Sequence, residues 1–290
     1  MIEWYYLALG SSVFMALSTI VEKSTLRKEH ASAYSSSFTL LTFLLSLFLL
    51  PFAEFNITAL QLLYIFLLGI TSSAGFLITA RVFKHGDISV ASPLFSSLPI
   101  LLTVIGAFIF LGERLTPVSY VSVAVIVVAI YLILFRSSRD RLKGAFDSNK
   151  YLRYIALASF INAFGAVSIR YLLLSVNPFA LLILLEGFIA LDTLVFTHLK
   201  YGGLHEAFSN LRAYKAPIIS TSILTTGSRV LYYLSASAAI ISLVSPMRNS
   251  IYVVMVVLSG TMFGEKGIAK KVALAIILII ATYFLTANNT

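Results

Sequence analysis

Long apolar segments separated by short polar stretches recur ten times along this chain of 290 residues. A hydrocarbon core about 30 Å thick needs roughly 20 helical residues, and every segment approaches that length. Barrel strands are excluded because they alternate polar and apolar positions over about 10 residues. The predicted fold class is an all-α integral membrane protein with ten transmembrane helices at 4–22, 32–52, 60–80, 88–111, 117–135, 153–173, 179–199, 215–235, 239–262 and 270–287.

Composition supports a membrane protein and narrows its chemistry. The chain is 59% hydrophobic and 11% charged, whereas soluble domains carry about 25% charged residues. It has no cysteine, so disulfides and thiolate metal sites are excluded, and we expect neither a metal nor a cofactor. The net charge of +9 comes from short connections without a nucleic-acid motif. The expected partners are a small-molecule substrate and membrane lipid, not nucleic acid.

The basic residues are distributed unevenly between the two sides of the predicted bundle. Of the 21 lysines and arginines, 17 fall on the side opposite the N-terminus, while Arg114 alone falls on the N-terminal side. The other three, Arg170, Arg229 and Arg248, lie inside spans. Because positive loops face the cytoplasm, we expect a multi-pass protein of the cell membrane with both termini outside.

The two halves of the sequence share a pattern. The segment Ala8–Lys23 aligns with Ala156–Tyr171 without a gap. The fourth and ninth segments each carry a Ser-Pro pair and end in Gly-Glu, at Ser92-Pro93 with Gly112-Glu113 and at Ser245-Pro246 with Gly264-Glu265. Chance likeness between apolar stretches is the alternative, which the paired marks disfavour. Five spans is an odd number, so duplication predicts two inverted five-helix repeats, 1–140 and 141–290.

With its ten spans, its two similar halves and a Gly-Glu turn after each fourth span, the chain resembles the drug/metabolite transporter superfamily, in its EamA branch. The resemblance implies a permease of small metabolites, often an exporter of amino acids or toxic organic compounds. Small multidrug-resistance relatives carry a carboxylate in the middle of their first span. This chain has Met15-Ala16-Leu17-Ser18 there, which puts proton antiport of that type in doubt.

Ionisable side chains inside a membrane usually face a partner or a cavity. The candidates are Arg170, Glu186, Asp192, Arg229 and Arg248, so we expect the second half to hold every deeply buried ionisable group. Glu186, Arg229 and Arg248 fall at similar depth. Either Glu186 pairs with one arginine, or an arginine binds a carboxylate or phosphate of the substrate, and both can hold together. Arg170 lies near a span end, where its head can snorkel to the interface.

Polar residues at helical spacing along the fourth, eighth and ninth segments suggest a cavity between the halves. For any single serine or threonine, packing between helices is the more common role. Proline within a span leaves a carbonyl unpaired and can act as a hinge or a tolerated kink. The candidate substrate-binding residues are Arg229, Arg248, Asn249, Glu186, Tyr232, Tyr252, Ser92 and Ser96, and the candidate hinges are Pro93, Pro99 and Pro246.

These observations favour a secondary transporter of small organic metabolites, amino acids or similar anionic or zwitterionic solutes, that exports by alternating access. A multidrug or toxic-compound exporter is the alternative within the same class. A channel or a lipid-handling scaffold is the alternative outside it. Catalysis is not expected, because the four histidines lie in loops or at span ends and no HExxH or GxGD motif occurs. The oligomeric state stays open, a monomer included.

Overall fold

The structure, a computed structural model, describes residues 3–26, 31–85, 88–136, 149–201, 203, 205, 215–262 and 268–287. These residues contain ten α-helices and no strand, as the sequence predicts. The helices are α1 (Trp4–Leu26), α2 (Ala31–Ser46), α3 (Ala59–His85), α4 (Ile88–Leu111), α5 (Pro117–Arg136), α6 (Asn149–Leu173), α7 (Pro178–Tyr201), α8 (Lys215–Ala238), α9 (Ile241–Met262) and α10 (Ile268–Ala287).

The helix ends differ from the predicted ones by only a few residues, with two informative exceptions. After α2 the chain continues in a 3₁₀ turn, Leu47–Phe52, which contains Pro51; proline lacks the N–H that a continuing α-helix needs. Helix α1 runs to Leu26, four residues past the predicted end. Glu22, the last residue of the predicted span, therefore lies one turn inside the helix end.

Four helical segments are long and apolar enough to cross a membrane: Tyr34–Phe52, Ala59–Thr79, Arg153–Leu173 and Pro178–Lys200. Shorter apolar stretches lie at Ser97–Leu111, Pro117–Leu132 and Ile276–Leu285. Large apolar side chains also point outward, as at Phe110 and Leu199, which are 76% and 78% exposed. An exterior this apolar suits lipid. The chain is therefore a multi-pass membrane protein, while a full count of ten spans stays a prediction.

Hydrogen bonds between helix ends identify one face of the bundle, which we call the N-terminal face because α1 begins there. Ser235 near the end of α8 donates to the Trp4 carbonyl at 2.8 Å. Gln61 in the first turn of α3 donates to Ser175 just after α6, at 3.0 Å. Helices α1 and α3 therefore begin at the face where α6 and α8 end. Helix α1 thus runs in the opposite direction to α6 and α8, and so does α3.

Helices of the first half pack mainly on helices of the second half. Helix α1 packs on α8 and α9, and α6 packs on α3 and α4. Helices α2 and α7, α4 and α9, and α5 and α10 also contact each other as pairs. If each helix is exchanged with its counterpart in the other half, α1 with α6 and α3 with α8 for example, the same set of contacting helix pairs results. The buried core is consequently shared between the halves.

Small hydroxyl side chains join the helices inside the bundle. Ser18 on α1 lies 2.7 Å from Thr225 on α8, and Thr39 on α2 lies 2.7 Å from Thr193 on α7. Such contacts let helices approach closely in a medium without water. Thr225 belongs to the polar stripe predicted on α8, and the structure assigns this member of the stripe to helix packing.

Candidate functional site

The charged centre of the molecule is built around α8. Arg229 on this helix donates from Nη1 to Oε1 of Glu186 on α7. The Glu186 side chain is 1% exposed, whereas that of Arg229 is 24% exposed. A buried carboxylate needs such a partner, because an unpaired charge away from water costs several kcal/mol. The sequence-based hypothesis that Glu186 pairs with an arginine is therefore what the structure has, and the arginine is Arg229.

Arg248 on α9 holds a second position beside α8. Its Nε donates to the Ser11 hydroxyl on α1 at 3.0 Å, and its Nη2 lies 3.5 Å from the Ser228 hydroxyl. The guanidinium carbon stands 4.4 Å from the centroid of the Tyr232 ring, within the range of a cation–π contact. Ser11 also bonds Ser228 at 3.1 Å. Two candidate residues, Arg248 and Tyr232, are thus brought together.

Two adjacent tyrosines connect these two charged groups. The rings of Tyr232 and Tyr233 meet edge to face, with centroids 6.0 Å apart and planes at 74°. Tyr233 is buried and lies within electrostatic reach of Glu186, Arg229 and Arg248. The two arginines therefore belong to one polar region, to which α1, α7, α8 and α9 contribute.

The other predicted residues are placed less centrally. Asn249 is half-buried and donates to the Ser245 carbonyl on its own helix at 2.9 Å. Pro246 is buried in the second turn of α9, and Pro99 is half-buried in α4. The side chains of Ser92, Pro93, Ser96 and Tyr252 lie outside the described residues.

The sequence analysis missed two residues of this region. Ser11 appears in no polar stripe, although the alignment of the halves matches it to Ser159 and could have drawn attention to it. Glu22 on α1 is half-buried, and its charge interacts with that of Arg229. Glu22 is only half-buried, so the expectation that the second half holds every deeply buried ionisable group stays a prediction. The sequence analysis passed over Glu22 because it stands at the last position of the predicted first span.

A second carboxylate lies at the N-terminal face. Gly112 adopts φ = 65°, a left-handed conformation that glycine takes without steric cost, and it turns the chain after α4. The next residue, Glu113, accepts hydrogen bonds from the Ile241 and Ser242 backbone N–H groups, both at 3.0 Å, and from the Ser242 hydroxyl at 2.7 Å. Glu113 therefore caps α9 from the opposite half of the chain.

Other helices that begin at this face are capped by neighbouring residues. Asn177 accepts from the Phe179 N–H at 2.9 Å at the start of α7, and Thr58 with Gln61 forms a reciprocal box before α3. Both arrangements satisfy N–H groups that a helix leaves unpaired. Helix α9 follows Ala239-Ile240, whose side chains cannot cap. Its first turn depends on Glu113 instead.

Arg170 completes this arrangement, and we call Glu113, Arg170, Ser242 and the end of α8 the end cluster. Arg170 donates from Nη1 to the carbonyls of Ala236 and Ser237 at 2.7 and 3.1 Å, and its Nε lies 3.8 Å from Glu113. A cation is favourable at a helix C-terminus. Its side chain is only 14% exposed, so the expected snorkelling toward the interface is wrong.

Two grooves lie away from these charges. One of about 410 Å³ runs between α1, α2 and α8 beside Phe14 and Gly227. The other, of about 530 Å³, lies between α2 and α7 beside Phe43 and Gly187. Both are lined almost entirely by apolar side chains, as lipid-facing surfaces are. Neither groove includes Arg229 or Arg248.

The fold and the polar interior define a class, that of multi-pass helical membrane proteins with a charged centre. Residues 2–135 match the EamA-like transporter family. This match covers just under half of the chain and confirms the resemblance to the drug/metabolite transporter superfamily that the sequence predicts. The matched family is one of transporters.

Among known proteins, a solved structure shares the fold of this chain. No curated protein matches the chain. A solved structure described as "Crystal structure of protein" superposes with a TM-score of 0.68 over 99% of both chains, at 13% sequence identity. At that identity the likeness concerns the fold alone.

Proposed function

We propose that this membrane transporter carries small organic anions or zwitterions, amino acids among them, and exports them by alternating access. The observation that carries the proposal is the polar region around α8, in which Arg248 stands over the ring of Tyr232 and Tyr233 lies within electrostatic reach of both Arg229 and Arg248. Charged groups so far inside a membrane protein are expensive to keep. Binding of an oppositely charged substrate is a function that accounts for the presence of these charged groups.

Arg248 is the proposed anchor for the substrate carboxylate. Its described hydrogen bonds go to the hydroxyls of Ser11 and Ser228, which are neutral acceptors. A carboxylate forms shorter and stronger bonds with guanidinium than a hydroxyl does. Exchange of these hydroxyls for a substrate carboxylate is therefore favourable, and Tyr232 offers its ring to the apolar part of the substrate.

Alternating access follows from the proposed organisation as two inverted repeats, 1–140 and 141–290. Three observations support it: the aligned halves in the sequence, the opposite directions of α1 and α6 and of α3 and α8, and helix contacts that survive exchange of the halves. The binding region lies between the halves, with α1 from the first and α7, α8 and α9 from the second. Rocking of one half against the other moves access from one face to the other.

The end cluster is the proposed gate of the N-terminal face. Glu113 from the first half caps α9 of the second half, and Arg170 fastens the ends of α6 and α8. In this conformation the halves are tied together at that face. Opening there requires Glu113 to leave Ser242 and the start of α9.

Transport by purified protein in liposomes tests the proposed function. We expect saturable uptake of a radiolabelled amino-acid mixture or of small carboxylates, reduced at least about tenfold in Arg248→Ala, since hydrogen bonds to charged groups contribute about 1.5–3 kcal/mol. Arg153→Ala is the matched control, because Arg153 is exposed on α6 and should leave uptake unchanged. Normal uptake by folded Arg248→Ala protein would remove this arginine from the site.

The same screen separates the alternatives. Flux of lipophilic cations without flux of carboxylates favours a toxic-compound exporter, and flux that never saturates favours a channel. No flux across the whole panel contradicts a carrier. Because the chain has no cysteine, single-cysteine labelling tests the proposed orientation in intact cells. Glu54→Cys, exposed after the 3₁₀ turn, should react from outside, whereas His205→Cys should not.

A further inference from the structure

Glu186 is a buried carboxylate, and only one of its two oxygens has a hydrogen-bond partner among the described residues. Oε1 accepts from Arg229, while Oε2 is fully buried and has no hydrogen-bond partner among the described residues. An ionised carboxylate has two oxygens with about four acceptor sites. A buried acceptor without a donor costs about 1–3 kcal/mol, and more when it is charged. The ionised form of Glu186 thus depends on Arg229.

The described helices around Glu186 offer no second cation. From α8 it is faced by Arg229 and, at longer range, by Tyr233. The described part of α2 contains no Asp, Glu, Lys, Arg or His, nor does residue range 59–79 of α3, and the 3₁₀ turn has none either. Arg153 and Arg170 on α6 lie toward its two ends.

The remaining titratable groups nearby have other neighbours. Tyr64 on α3 donates to Ser168 at 2.7 Å, and Tyr34 on α2 interacts with the charge of Glu22. Asp192, on the same helix as Glu186, lies toward Gly69 on α3, and its Oδ2 is likewise buried without a hydrogen-bond partner among the described residues. Unlike Glu186, it has no arginine bonded to it among those residues. Glu22 and Glu186 therefore both respond to Arg229, but only Glu186 holds it by a direct bond.

The two members of the pair differ in access. Arg229 is the more exposed partner, and Glu186 is enclosed. An anionic ligand that enters the polar region can therefore reach the guanidinium but not the carboxylate. Once Arg229 turns to the ligand, Glu186 is left buried without a cation. An isolated buried carboxylate is far more costly than the neutral acid, so the group neutralises itself.

Building on the proposed function, we propose that Glu186 takes up one proton whenever Arg229 leaves it and joins Arg248 in binding the anionic group of the substrate. The proton binds Oε2, the oxygen that lacks a partner. Before exchange the pair carries one positive and one negative charge. Afterwards Arg229 is balanced by the substrate and Glu186 is neutral. One proton thus crosses with each substrate in the same direction, without net charge for an anion and with one positive charge for a zwitterion.

The linkage works in both directions. Because anion binding brings in a proton, lowering the pH strengthens anion binding, by up to about tenfold per pH unit while Glu186 is ionised in the empty carrier. Glu186→Gln keeps the shape of the side chain and cannot be charged. In that variant we expect anion binding and flux that no longer depend on pH.

Liposomes with a pH-sensitive dye trapped inside provide the test. The probe is the same radiolabelled amino-acid mixture, together with glutamate as an anionic amino acid that does not cross the bilayer by itself. In the wild type we expect uptake to acidify the interior and to be faster at mildly acidic than at mildly alkaline pH. In Glu186→Gln we expect uptake without acidification and with equal rates at both pH values. Asp192→Asn is the matched control, on the same helix as Glu186, and should keep the acidification.

The outcomes separate the two proposals. Absence of any saturable uptake by the wild type contradicts the proposed function. Saturable uptake without proton movement or pH dependence leaves that function standing and overturns the role of Glu186. Acidification that persists in Glu186→Gln, or that disappears in Asp192→Asn instead, also overturns the role of Glu186. If Glu186→Gln does not fold, the presence or absence of acidification in the wild type still decides whether a proton accompanies the substrate. Glu186→Asp, which can still take up a proton, should retain the acidification.

Discussion

Two contacts between glutamate and arginine, at different depths in the bundle, differ in how fully the carboxylate is satisfied. Glu113 in the end cluster accepts three hydrogen bonds from the start of α9 and has Arg170 beside it. Glu186 has Arg229 alone and one oxygen without a partner in the described structure. The first glutamate is held by backbone groups and fixes a helix end. The second depends on one movable side chain, which suits a group that exchanges partners.

The difference also concerns which parts of the chain each contact connects. Glu113 comes from the first half and binds the second, so it bears on how the halves are oriented. Glu186 and Arg229 both belong to the second half, on α7 and α8, and bear on what the polar region can bind. Changes to the two contacts should therefore have separable effects on stability and transport.

Removing Arg229 should have the largest effect on stability. Arg229→Ala leaves Glu186 buried without its cation, and breaking one side of a buried pair costs about 3–5 kcal/mol. The loss should shrink as pH falls, because the folded variant then binds a proton that the unfolded chain does not need. Thermal unfolding in detergent across a pH series measures both effects.

The double variant Arg229→Gln with Glu186→Gln is the control for that prediction. It removes both charges and should recover most of the stability, since replacing a whole buried pair by neutral groups is often close to neutral. If the single and double variants are equally destabilised, the charge of Glu186 is not the cause.

Glu113→Ala should have a smaller and more local effect. It removes the cap of α9, and loss of a cap costs about 0.5–2 kcal/mol. Hydrogen exchange should rise in the first turn of α9, at Ile241 and Ser242, and far less in α7, which Asn177 caps locally. Asn177→Ala serves as the mirror control, with raised exchange at the start of α7. Unchanged exchange in α9 would contradict the capping role of Glu113.

Gly112→Ala should have an effect of about the same size as Glu113→Ala, confined to the turn after α4. A Cβ at this position meets nothing within 4 Å, so the cost comes from the backbone, whose φ is 65°. That conformation costs roughly 1–2 kcal/mol for a residue with a side chain. Gly112→Asn should cost less, because asparagine tolerates left-handed backbone. Thermal unfolding of the two variants side by side checks this order.

Much of the fold was predictable because length and apolarity control it locally. Ten helices follow from ten apolar segments, and Gly112, Pro117 and Pro178 mark ends or starts for reasons that lie in their own backbone chemistry. The pairing of Glu186 with an arginine was also predictable, as one of the two interpretations that the sequence allowed. A buried charge demands a partner, and few charges lie at that depth.

Other features could not be predicted because they depend on neighbours far away in sequence. The Gly-Glu turn is recognisable, yet the capping of α9 by Glu113 requires that α4 end beside the start of α9. Arg170 looks like a snorkelling residue until the end of α8 is placed against it. Glu22 was overlooked because it stands at the last position of the predicted first span, whereas helix α1 runs one turn further.

The sequence by itself determined that this is a helical membrane protein that resembles the EamA-like transporters, because the lengths of the apolar segments and the paired Gly-Glu turns can be read directly along the chain. Only the tertiary structure decided which arginine holds Glu186, which helix Glu113 caps and which hydroxyls meet Arg248. Those choices depend on helix packing and rotation. A rotation of 100° per residue turns a side chain from lipid to interior, and only the packed bundle sets that rotation.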